Sequence, residues 1–480
     1  MKRNNVARSL ENLIINKNLT LKDAMDKINQ NHKGTVFVVD NQEKVIGTLT
    51  DGDIRRLLLS DYGLNTRIEN HLMVDFKYIM FGEDIESVLQ KLQVKYGKRI
   101  KIVPILDHNM RLVDCYESEA YTYVPISNPE LQGNEFKYLV DAFLSTWISS
   151  TGEYITQFEE MFADYCNVKH GVAVSNGTVA LHLAMLALDI GVGDEVIVPD
   201  ITFAATINAV LYVGATPVIV DIEEEGWCIN PIEIEKAITP KTKAIIPVHI
   251  YGQPCEMEQI MRIAKEHNLY VVEDCAQAHG ATFQGKVIGS FGDIACFSFF
   301  GNKVITTGEG GMCLSNDSRL IEKIRLLKDH GMSKERKYYH TVVGYNYRMT
   351  NLQAAIGVAQ LERIEQIHEM RYELEGRYRN GLLTSKRVEL QKNNLSNRKK
   401  IVWLVTILVD DDKRDSCLSK LKEEGIDARQ FFIPLSEMEL YKEYTFSNRI
   451  SKQIASRGIS LPTTRDITDE TINKIKDIIG

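Results

Sequence analysis

The sequence predicts an α/β protein in which a mostly parallel sheet is covered by helices on both faces. Short β-branched runs recur at 195–198, 217–220, 244–248 and 270–272. Helical patterns lie between these runs, for example at 204–212 and 257–267. Apart from Glu195 at the start of the first run, these runs are apolar and do not alternate with polar residues, which is typical of strands that are buried on both faces.

The composition indicates a folded protein without a nucleic-acid partner. The chain has 480 residues, enough for two or three domains, and is 44% hydrophobic and 25% charged. The formal net charge of -8 argues against a nucleic-acid footprint. An anionic substrate would therefore need local positive groups in its site.

Neither a signal peptide nor a membrane span is expected. The N-terminal stretch MKRNNVARSLENLIINKN lacks a long apolar core and a small-residue cleavage site. No apolar run approaches the length of about 20 residues that a membrane helix needs. The eight cysteines are scattered without metal-site spacing, so we expect small buried groups and no metal. Reduced thiols of this kind fit a cytoplasmic protein.

Residues 1–122 are predicted to form a separate module with an internal repeat. The first copy has a helix, two strands and a helix, at 20–32, 35–39, 45–49 and 53–59. The second copy has a helix and two strands, at 84–96, 100–106 and 111–116. The copies are offset by about 60 residues and keep the same order of elements.

The remaining chain is predicted to hold a linker and two lobes. Residues 123–135 contain two prolines and a glycine, so we expect a linker and the start of the next domain. The large α/β domain would then span 136–374. A smaller α+β lobe would span 375–480 and end in a helix at 468–479.

An acidic residue follows one of the predicted buried strands. Glu273 and then Asp274 follow the run at 270–272, where a parallel sheet presents ligands at its C-terminal edge. A buried carboxylate is costly without a partner, and a protonated pyridine nitrogen would be such a partner. In isolation, a helix-capping role would be the simpler interpretation of Asp274.

A lysine ends a second apolar run and is followed by glycines. Lys303 closes the stretch SFGDIACFSFFGNK and precedes TTGEGG. Burial at such a position lowers the pKa of an amine and makes it available as a nucleophile. A lone loop lysine would usually be solvated, but the upstream Asp274 favours a shared cofactor site.

A small-residue turn opens a helix at Ser175-Asn176-Gly177-Thr178. Free backbone amides and the helix dipole make such a turn an anion site. The turn has neither the lysine of a P-loop nor a G-x-G-x-x-G pattern, so one phosphate is favoured over three. His182 lies inside this helix and is expected to be packed.

Residues from about 125 to 480 resemble the DegT/DnrJ/EryC1/StrS family of sugar aminotransferases. The resemblance rests on PVHIYGQP, EDCAQAHGA, GSFGDIACFSFFGNKVITTGEGGM and GYNYRMTNLQAAIGVAQLERIE. The wording FFGNKVITTGEGGM is closest to the GDP-perosamine synthase branch. The resemblance implies the fold-type I architecture of pyridoxal 5'-phosphate (PLP) aminotransferases, with a smaller C-terminal lobe.

The family's cofactor roles carry over onto matching positions. Lys303 would be the Schiff-base lysine and proton carrier, and Asp274 would pair with the pyridine nitrogen. Gln277 would contact the ring hydroxyl, and Phe203 would stack on the ring. A related dehydratase branch has histidine in place of the lysine, so Lys303 favours transamination.

The resemblance also implies a phosphate cradle and a shared site. The residues expected to hold the phosphate are Gly177, Thr178, Val179 and Ser298. Asn346, in GYNYR, would reach the phosphate of the neighbouring subunit's cofactor. This role implies a homodimer with shared active sites, with a higher oligomer through the N-terminal module left open.

The reaction that the resemblance implies has two halves. L-glutamate would load the cofactor with an amino group and leave as 2-oxoglutarate. The amine would then attack the C4 ketone of a nucleotide-linked 4-keto-6-deoxyhexose, a step of surface-polysaccharide (O-antigen) sugar biosynthesis. Arg348 and His330 are candidate contacts for the nucleotide-sugar, whereas Arg429 in GIDARQFF is interpreted as structural.

The N-terminal module resembles a pair of CBS domains. Gly47-Thr48-Leu49-Thr50-Asp51-Gly52-Asp53 matches the G-x-x-T-x-x-D pattern that binds adenosine-type nucleotides in that family. Thr50 and Asp53 are therefore candidates for a nucleotide site, although the same pair can simply cap a helix. The second copy has no T-x-x-D, so only one such site is expected.

Three other functions stay open at this stage. The substrate could carry UDP or dTDP in place of GDP, because pocket shape cannot be derived from the sequence. A PLP dehydratase or a 3-aminotransferase would share most of these motifs. A non-catalytic regulatory member of the family is a further alternative, against which the intact Lys303, Asp274 and Gln277 argue.

Overall fold

The computed structural model describes residues 10–31, 33–60, 62–84, 88, 102–117, 123–382 and 388–480. The chain divides into two compact units, Met1–Thr122 and Tyr123–Gly480. Among the described residues, no helix combines the length and the apolar character that crossing a bilayer requires.

The first unit contains two small sheets of the same design. Its strands are β1 (Ile14–Asn16), β2 (Thr35–Val39), β3 (Val45–Thr50), β4 (Ile79–Met80), β5 (Ile102–Leu106) and β6 (Leu112–Glu117). Its helices are α1 (Leu21–Asn31) and α2 (Asp51–Leu59), with 3-10 turns at Leu10–Leu13 and Ile68–Asn70. In each sheet the middle strand pairs parallel with the first strand and antiparallel with the third.

The turns of the two sheets repeat the same hydrogen bonds. Asp40 accepts backbone N–H bonds from the second and fourth residues after it, and Asp107 does the same. Glu43 and Met110 take positive φ angles of 63° and 61° at equivalent places. The internal repeat expected from the sequence is therefore present in the backbone. The helix predicted at 84–96 falls largely outside the described residues.

A seven-stranded mixed sheet forms the centre of the second unit. Its strands are β7 (His170–Val174), β8 (Glu195–Pro199), β9 (Thr216–Val220), β10 (Thr242–Ile245), β11 (Tyr270–Asp274), β14 (Ile294–Ser298) and β15 (Gly311–Ser315). They lie in the order β7-β15-β14-β11-β10-β8-β9, and only β15 is antiparallel to its neighbours. The predicted mixed, mostly parallel sheet is confirmed.

Helices pack on both faces of this sheet. They are α3 (Glu135–Leu144), α4 (Glu153–Tyr165), α5 (Gly177–Ala187), α6 (Ala205–Tyr212), α7 (Pro231–Ala237), α8 (Met257–His267), α9 (Ser318–Lys328), α10 (Asn351–Leu361) and α11 (Ile364–Leu382). Two apolar clusters, one on either side of the sheet, form the core. The alternation of buried strands with helices explains why the sequence pattern predicts this architecture.

One strand is shorter than the sequence pattern predicts. The apolar run 244–248 extends beyond the end of β10 at Ile245. Pro247 has no N–H to donate and so interrupts the ladder. The chain then turns toward β11, where Val248 forms an isolated bridge with Asp274.

The C-terminal part of the second unit carries a smaller sheet. Its strands are β16 (Glu389–Leu390), β19 (Val405–Leu408), β21 (Gly458–Leu461) and β20 (Arg429–Gln430), all antiparallel. Its helices are α12 (Arg414–Glu423), α13 (Arg449–Arg457) and α14 (Asp469–Ile479). Strands β12 (Thr282–Phe283), β13 (Lys286–Val287), β17 (Asn394–Leu395) and β18 (Arg398–Lys399) form a separate sheet, and 3-10 turns lie at Ile250–Gly252, Leu435–Glu437 and Lys442–Tyr444.

The start of the second unit is bonded to its C-terminal part. The backbone of Val124 exchanges hydrogen bonds with Gly425 and Asp427. Ile126 is buried, and its carbonyl accepts a bond from Thr463 N. The proline-containing segment predicted as a linker therefore joins the second unit from its first residues. All eight cysteines of the chain are buried, and none is in a disulfide.

Candidate active site

A cavity of about 1030 Å³ opens at the carboxyl edge of the central sheet. The ends of β11 and β14, the start of α5 and segments of the smaller C-terminal sheet line it. Parallel strands place their C-terminal ends at one edge, which is where α/β proteins bind ligands. Asp274, at the end of β11, and Lys303, in the loop after β14, both line this cavity.

Asp274 is a buried carboxylate held by two donors. Thr206 Oγ1 donates to its Oδ2 at 2.8 Å, and Ala276 N–H donates to its Oδ1 at 3.1 Å. Burial raises the pKa of Asp274, while the bond from Thr206 and the charge of Lys303 oppose that shift. A carboxylate in this setting is stabilised further by a cationic partner in the cavity.

Lys303 lies in the loop that follows β14. Burial lowers the pKa of its amine to about 8, against the attraction of Asp274, which raises it. The amine nitrogen lies 4.2 Å from the centre of the Trp403 ring. A lysine whose pKa is close to neutral can act both as a nucleophile and as a proton carrier.

The start of α5 forms the anion-binding end of the cavity. Asn176 caps the helix by accepting the Val179 N–H at 3.0 Å. A side chain on Gly177 would place its Cβ 2.7 Å from Ser298 Cβ, so glycine lets the helix start approach the end of β14. The first-turn amides and the helix dipole face the cavity, whose lining includes Gly177, Thr178, Val179 and Ser298.

Gln277 has a fixed orientation in the wall. Its Oε1 accepts the Tyr251 N–H at 2.8 Å, which identifies the amide nitrogen as the donor end of the side chain. The strained turn of Tyr251, with a φ of 51°, supplies this contact. Gln277 can therefore donate a hydrogen bond to an acceptor in the cavity.

A neutral histidine supports the C-terminal end of β14. The Nε2 of His279 donates to the carbonyl of Ser298, at 2.9 Å. Burial and the charge of Lys303 lower the pKa of His279 to about 3. The imidazole therefore carries no charge at neutral pH and acts here as a support for the strand end.

Phe203 reaches the cavity from the loop after β8. Its side chain is 60% exposed, which is unusual for a phenylalanine inside a lobe with a large core. It meets Phe432 edge-on at 6.1 Å between ring centres. The free face of Phe203 is available for stacking on a planar ligand.

Several lining residues come from the C-terminal part of the chain and were not assigned to the site from the sequence. They are Trp403, Leu404, Arg429, Gln430, Phe432 and Ser460. Arg429, interpreted from the sequence as structural in its GIDARQFF context, lines the cavity. Its side chain is 52% exposed and lies 3.6 Å from Asp427, a loose ion pair.

Arg348, His330 and Asn346 are not brought into the cavity of this chain. Arg348 donates to Asp329 at 2.7 Å and to Asn346 at 3.0 Å, so its guanidinium is occupied locally. His330 has a positive φ of 61°, and its carbonyl accepts a bond from His340. Asn346 is exposed and does not line the cavity, although its neighbours Tyr345 and Tyr347 do.

The Thr50–Asp53 pair in the first unit forms a closed capping box. Thr50 Oγ1 donates to Asp53 Oδ2 at 2.6 Å, and Asp53 N–H donates to Thr50 Oγ1 at 3.2 Å. Asp53 also pairs with Arg56. The polar groups expected to meet a nucleotide are thus used by α2 itself.

Among the described residues, one buried group has the composition of a metal site. It comprises His249, Glu273 and Cys275. Glu273 accepts three backbone N–H bonds, from Gly289, Phe291 and Gly292. These bonds and the contact with His249 use its oxygens, so the group is explained as a structural support of the loop before β14.

Residues 129–480 match the model of the DegT/DnrJ/EryC1/StrS aminotransferase family. The chain belongs to this family. Residues 6–60 match the CBS domain model. The resemblance inferred from the motifs is therefore confirmed for the aminotransferase part and, in the N-terminal module, for one CBS domain.

Relatives and a solved structure extend this result. The chain is 44% identical to the GDP-perosamine synthase of Escherichia coli O157:H7, over 75% of this chain and 98% of that one. It is 45% identical to the GDP-perosamine synthase of Caulobacter vibrioides, over 73% and 96%. A sugar aminotransferase structure from Streptococcus pneumoniae in its PLP form has a TM-score of 0.70 at 28% identity, covering 74% of this chain and 97% of that one.

Aminotransferases of this family use PLP, and the residues of the cavity fit that cofactor. Gly177 brings the start of α5 against Ser298, leaving a backbone cradle for one phosphate. Asp274 is buried and would gain a cationic partner from a protonated ring nitrogen. Lys303 supplies an amine of lowered pKa. The protein is therefore a PLP-dependent aminotransferase of fold type I.

Proposed function

We propose that the protein transfers the amino group of L-glutamate to C4 of a GDP-linked 4-keto-6-deoxyhexose. The observation that carries the proposal is the convergence of Lys303, Asp274 and the start of α5 on one cavity. The GDP-linked substrate is supported by relatives 42% to 45% identical that are named GDP-perosamine synthase.

The cofactor would be held at four points. Gly177, Thr178 and Ser298 would hold its phosphate, and Asp274 its ring nitrogen. Gln277 would donate to the ring hydroxyl from its amide nitrogen, and Phe203 would stack on the ring face. When bound, PLP supplies an electron sink for the charge left on carbon when a proton is removed.

Lys303 is the group that moves the proton. Its pKa of about 8 lies near neutral pH, so the amine can take a proton from the donor's α-carbon and later deliver one to C4 of the sugar. The buried Asp274 would supply a negative charge to the same site. Because Lys303 is the lysine that lines this cavity, it would serve both half-reactions.

Arg429 is the candidate contact for the substrate's negative charge. It and Lys303 are the two basic side chains, lysine or arginine, in the lining of this cavity. The ion pair with Asp427 is loose, which leaves donors for an anion. We therefore assign the pyrophosphate of the nucleotide-sugar to Arg429. Arg348 and His330 would contact the nucleotide-sugar only if they reach the cavity of a partner subunit.

A homodimer with shared sites is part of the proposal. Helix α3 and the turn after it expose a row of large apolar side chains: Phe136, Phe143, Leu144, Trp147 and Ile148. Such a patch is typical of an interface. Asn346 is exposed and could then reach the phosphate end of the partner's site, as the family resemblance implies. Light scattering of the purified protein measures this state directly.

The cellular setting and the domain boundaries are proposed as the sequence predicts them. We propose a cytoplasmic enzyme of surface-polysaccharide sugar biosynthesis, with domains at 1–122, 136–374 and 375–480 joined through 123–135. The first would act as a CBS pair. A nucleotide at Thr50 and Asp53 stays a prediction, and binding there would require the capping box to open.

The substrate is tested with a panel of keto sugars. The PLP-loaded protein is incubated with L-glutamate and one 4-keto-6-deoxyhexose linked to GDP, UDP or dTDP, and the product is identified by mass spectrometry. The proposal expects an amino sugar from the GDP substrate at the highest kcat/KM. A higher kcat/KM for the UDP or dTDP substrate would contradict the choice of nucleotide.

A matched pair of arginine variants tests the substrate contact. Arg429→Gln should raise KM for the nucleotide-sugar by about tenfold or more, because a charge-assisted bond is lost. KM for L-glutamate should change less. Arg262→Gln, on the exposed face of α8, is the control. An unchanged KM for the nucleotide-sugar in Arg429→Gln would remove this residue from the site.

A further inference from the structure

An indole ring from the second half of the chain lies directly against the amine of Lys303. Trp403 belongs to the segment between β18 and β19, far from Lys303 in sequence. Its ring centre is 4.2 Å from Lys303 Nζ, within the range of a cation–π contact. Only 4% of Trp403 is exposed, so water competes little for the contact.

Trp403 is fixed at both its side chain and its backbone. Its Nε1–H donates to the carbonyl of Asn302 at 2.8 Å, one residue before Lys303. The buried Arg371 donates to the Trp403 carbonyl at 2.9 Å. The indole lies almost parallel to the ring of Tyr251, with 15° between planes and 6.0 Å between centres. The ring therefore has one defined orientation toward the amine.

The charge of Lys303 is affected by two titratable groups, by burial and by the indole ring. Asp274 faces the amine from β11 and favours the ammonium form. His279, from the segment after β11, is neutral because burial lowers its pKa to about 3. Burial itself disfavours the ammonium. An electron-rich ring face offsets part of this burial cost.

We propose that Trp403 is a positioning residue whose ring face holds the Lys303 ammonium in place whenever the lysine is not bonded to the cofactor. This inference rests on the proposed role of Lys303 as the proton carrier. An unrestrained lysine would have many rotamers and would lose its alignment between the two half-reactions. The ring restrains the amine without a hydrogen bond, so the amine keeps its donors for the reacting carbons.

The test compares two substitutions at Trp403 in the cofactor-free protein. Trp403→Phe and Trp403→Leu both lose the Nε1–H bond to Asn302, but only phenylalanine keeps an aromatic face. Competitive acetylation with acetic anhydride at a series of pH values, read by mass spectrometry of the Lys303 peptide, gives the midpoint at which the amine loses its proton. Trp403→Met is a second non-aromatic variant, and near-UV circular dichroism establishes that each variant is folded.

The midpoint should fall when the aromatic face is lost, because a cation–π contact stabilises the protonated amine. We expect the Leu and Met variants to titrate about one pH unit below Trp403→Phe, a tenfold change in the neutral fraction below the midpoint. Equal midpoints in the Phe and Leu variants, or a higher midpoint without the ring, would overturn the inference.

The outcome is separable from the proposed function because the titration uses neither cofactor nor glutamate. A midpoint that depends on the ring, in a protein that does not react with L-glutamate, would keep the contact and overturn the aminotransferase proposal. If the protein reacts with glutamate but the midpoint does not depend on the ring, the aminotransferase proposal would stand and the role of Trp403 would be overturned.

Discussion

Two helices in this chain begin with similar polar and glycine residues after a strand, but these residues make different contacts in the structure. Helix α2 begins after β3 with Thr50 and Asp53, and helix α5 begins after β7 with Asn176 and Gly177. At α2 the polar groups bind each other, since Thr50 and Asp53 form a reciprocal capping box. At α5 a single bond from Val179 to Asn176 caps the helix, and its first turn lines a cavity of about 1030 Å³.

The acids of the two regions differ in the same way. Asp53 accepts bonds from Thr50 and pairs with Arg56, so its charge is balanced within α2. Asp274 is buried beside the cavity, and burial raises its pKa, although the bond from Thr206 and the charge of Lys303 oppose that shift. Among the described residues, no arginine or lysine forms an ion pair with it. A helix start after a strand thus becomes a ligand site only where donors and charge are left over for a ligand.

The largest expected effect comes from removing the uncompensated acid. Asp274→Asn should reduce the rate of amino transfer by about 10²–10³-fold, since the ring nitrogen would no longer be held in its protonated form. Stopped-flow absorbance with L-glutamate measures this rate. Asp51→Asn, an exposed acid of α2, is the control and should leave it unchanged. A rate in Asp274→Asn within twofold of the wild type would contradict the role of this carboxylate.

The glycines at the two helix starts should respond in opposite ways to alanine. Gly177→Ala should weaken PLP binding by about tenfold or more, because the new Cβ would lie 2.7 Å from Ser298 Cβ and displace the helix start. Gly52→Ala meets nothing closer than 3.6 Å and should stabilise α2 by up to about 1 kcal/mol. PLP titration followed by absorbance measures the first effect and hydrogen exchange the second. Unchanged PLP affinity in Gly177→Ala would contradict the need for a close approach between the start of α5 and Ser298.

The smallest expected effect comes from breaking the capping box that Thr50 and Asp53 form at the start of α2. Thr50→Ala should lower the free energy of opening of α2 by about 1 kcal/mol, with Thr50→Ser close to the wild type. Amide hydrogen exchange over residues 51–59 measures this change. Tryptophan fluorescence would not serve, because Trp147, Trp227 and Trp403, the three tryptophans of the chain, all lie in the second unit. Unchanged exchange in Thr50→Ala would show that the capping box contributes nothing measurable.

The sequence predicts those parts of the site that lie next to regular elements. Asp274, Lys303 and Gly177 each stand beside a strand end or helix start, and parallel strands bring such positions to one edge of a sheet. The fold class and the internal repeat of the first unit follow from hydrophobic periodicity in the same way.

Other features depend on packing between distant segments and could not be predicted. Trp403 meets Lys303 only because the segment before β19 folds back onto the large sheet, a contact across a hundred residues. Arg429 reaches the cavity through β20, a strand of two residues with no periodic signal. Arg348 carried a motif, but its charge is taken by Asp329 on a neighbouring turn, which the sequence pattern does not reveal.

The central claim is that Lys303 in this cavity performs glutamate-dependent amino transfer. The most direct measurement is the visible absorbance of the PLP-loaded protein before and after addition of L-glutamate. We expect a visible band that glutamate bleaches in the wild type and in the exposed control Lys286→Ala, and that is absent in Lys303→Ala. A band that glutamate leaves unchanged in the wild type, or bleaching that persists in Lys303→Ala, would contradict the account.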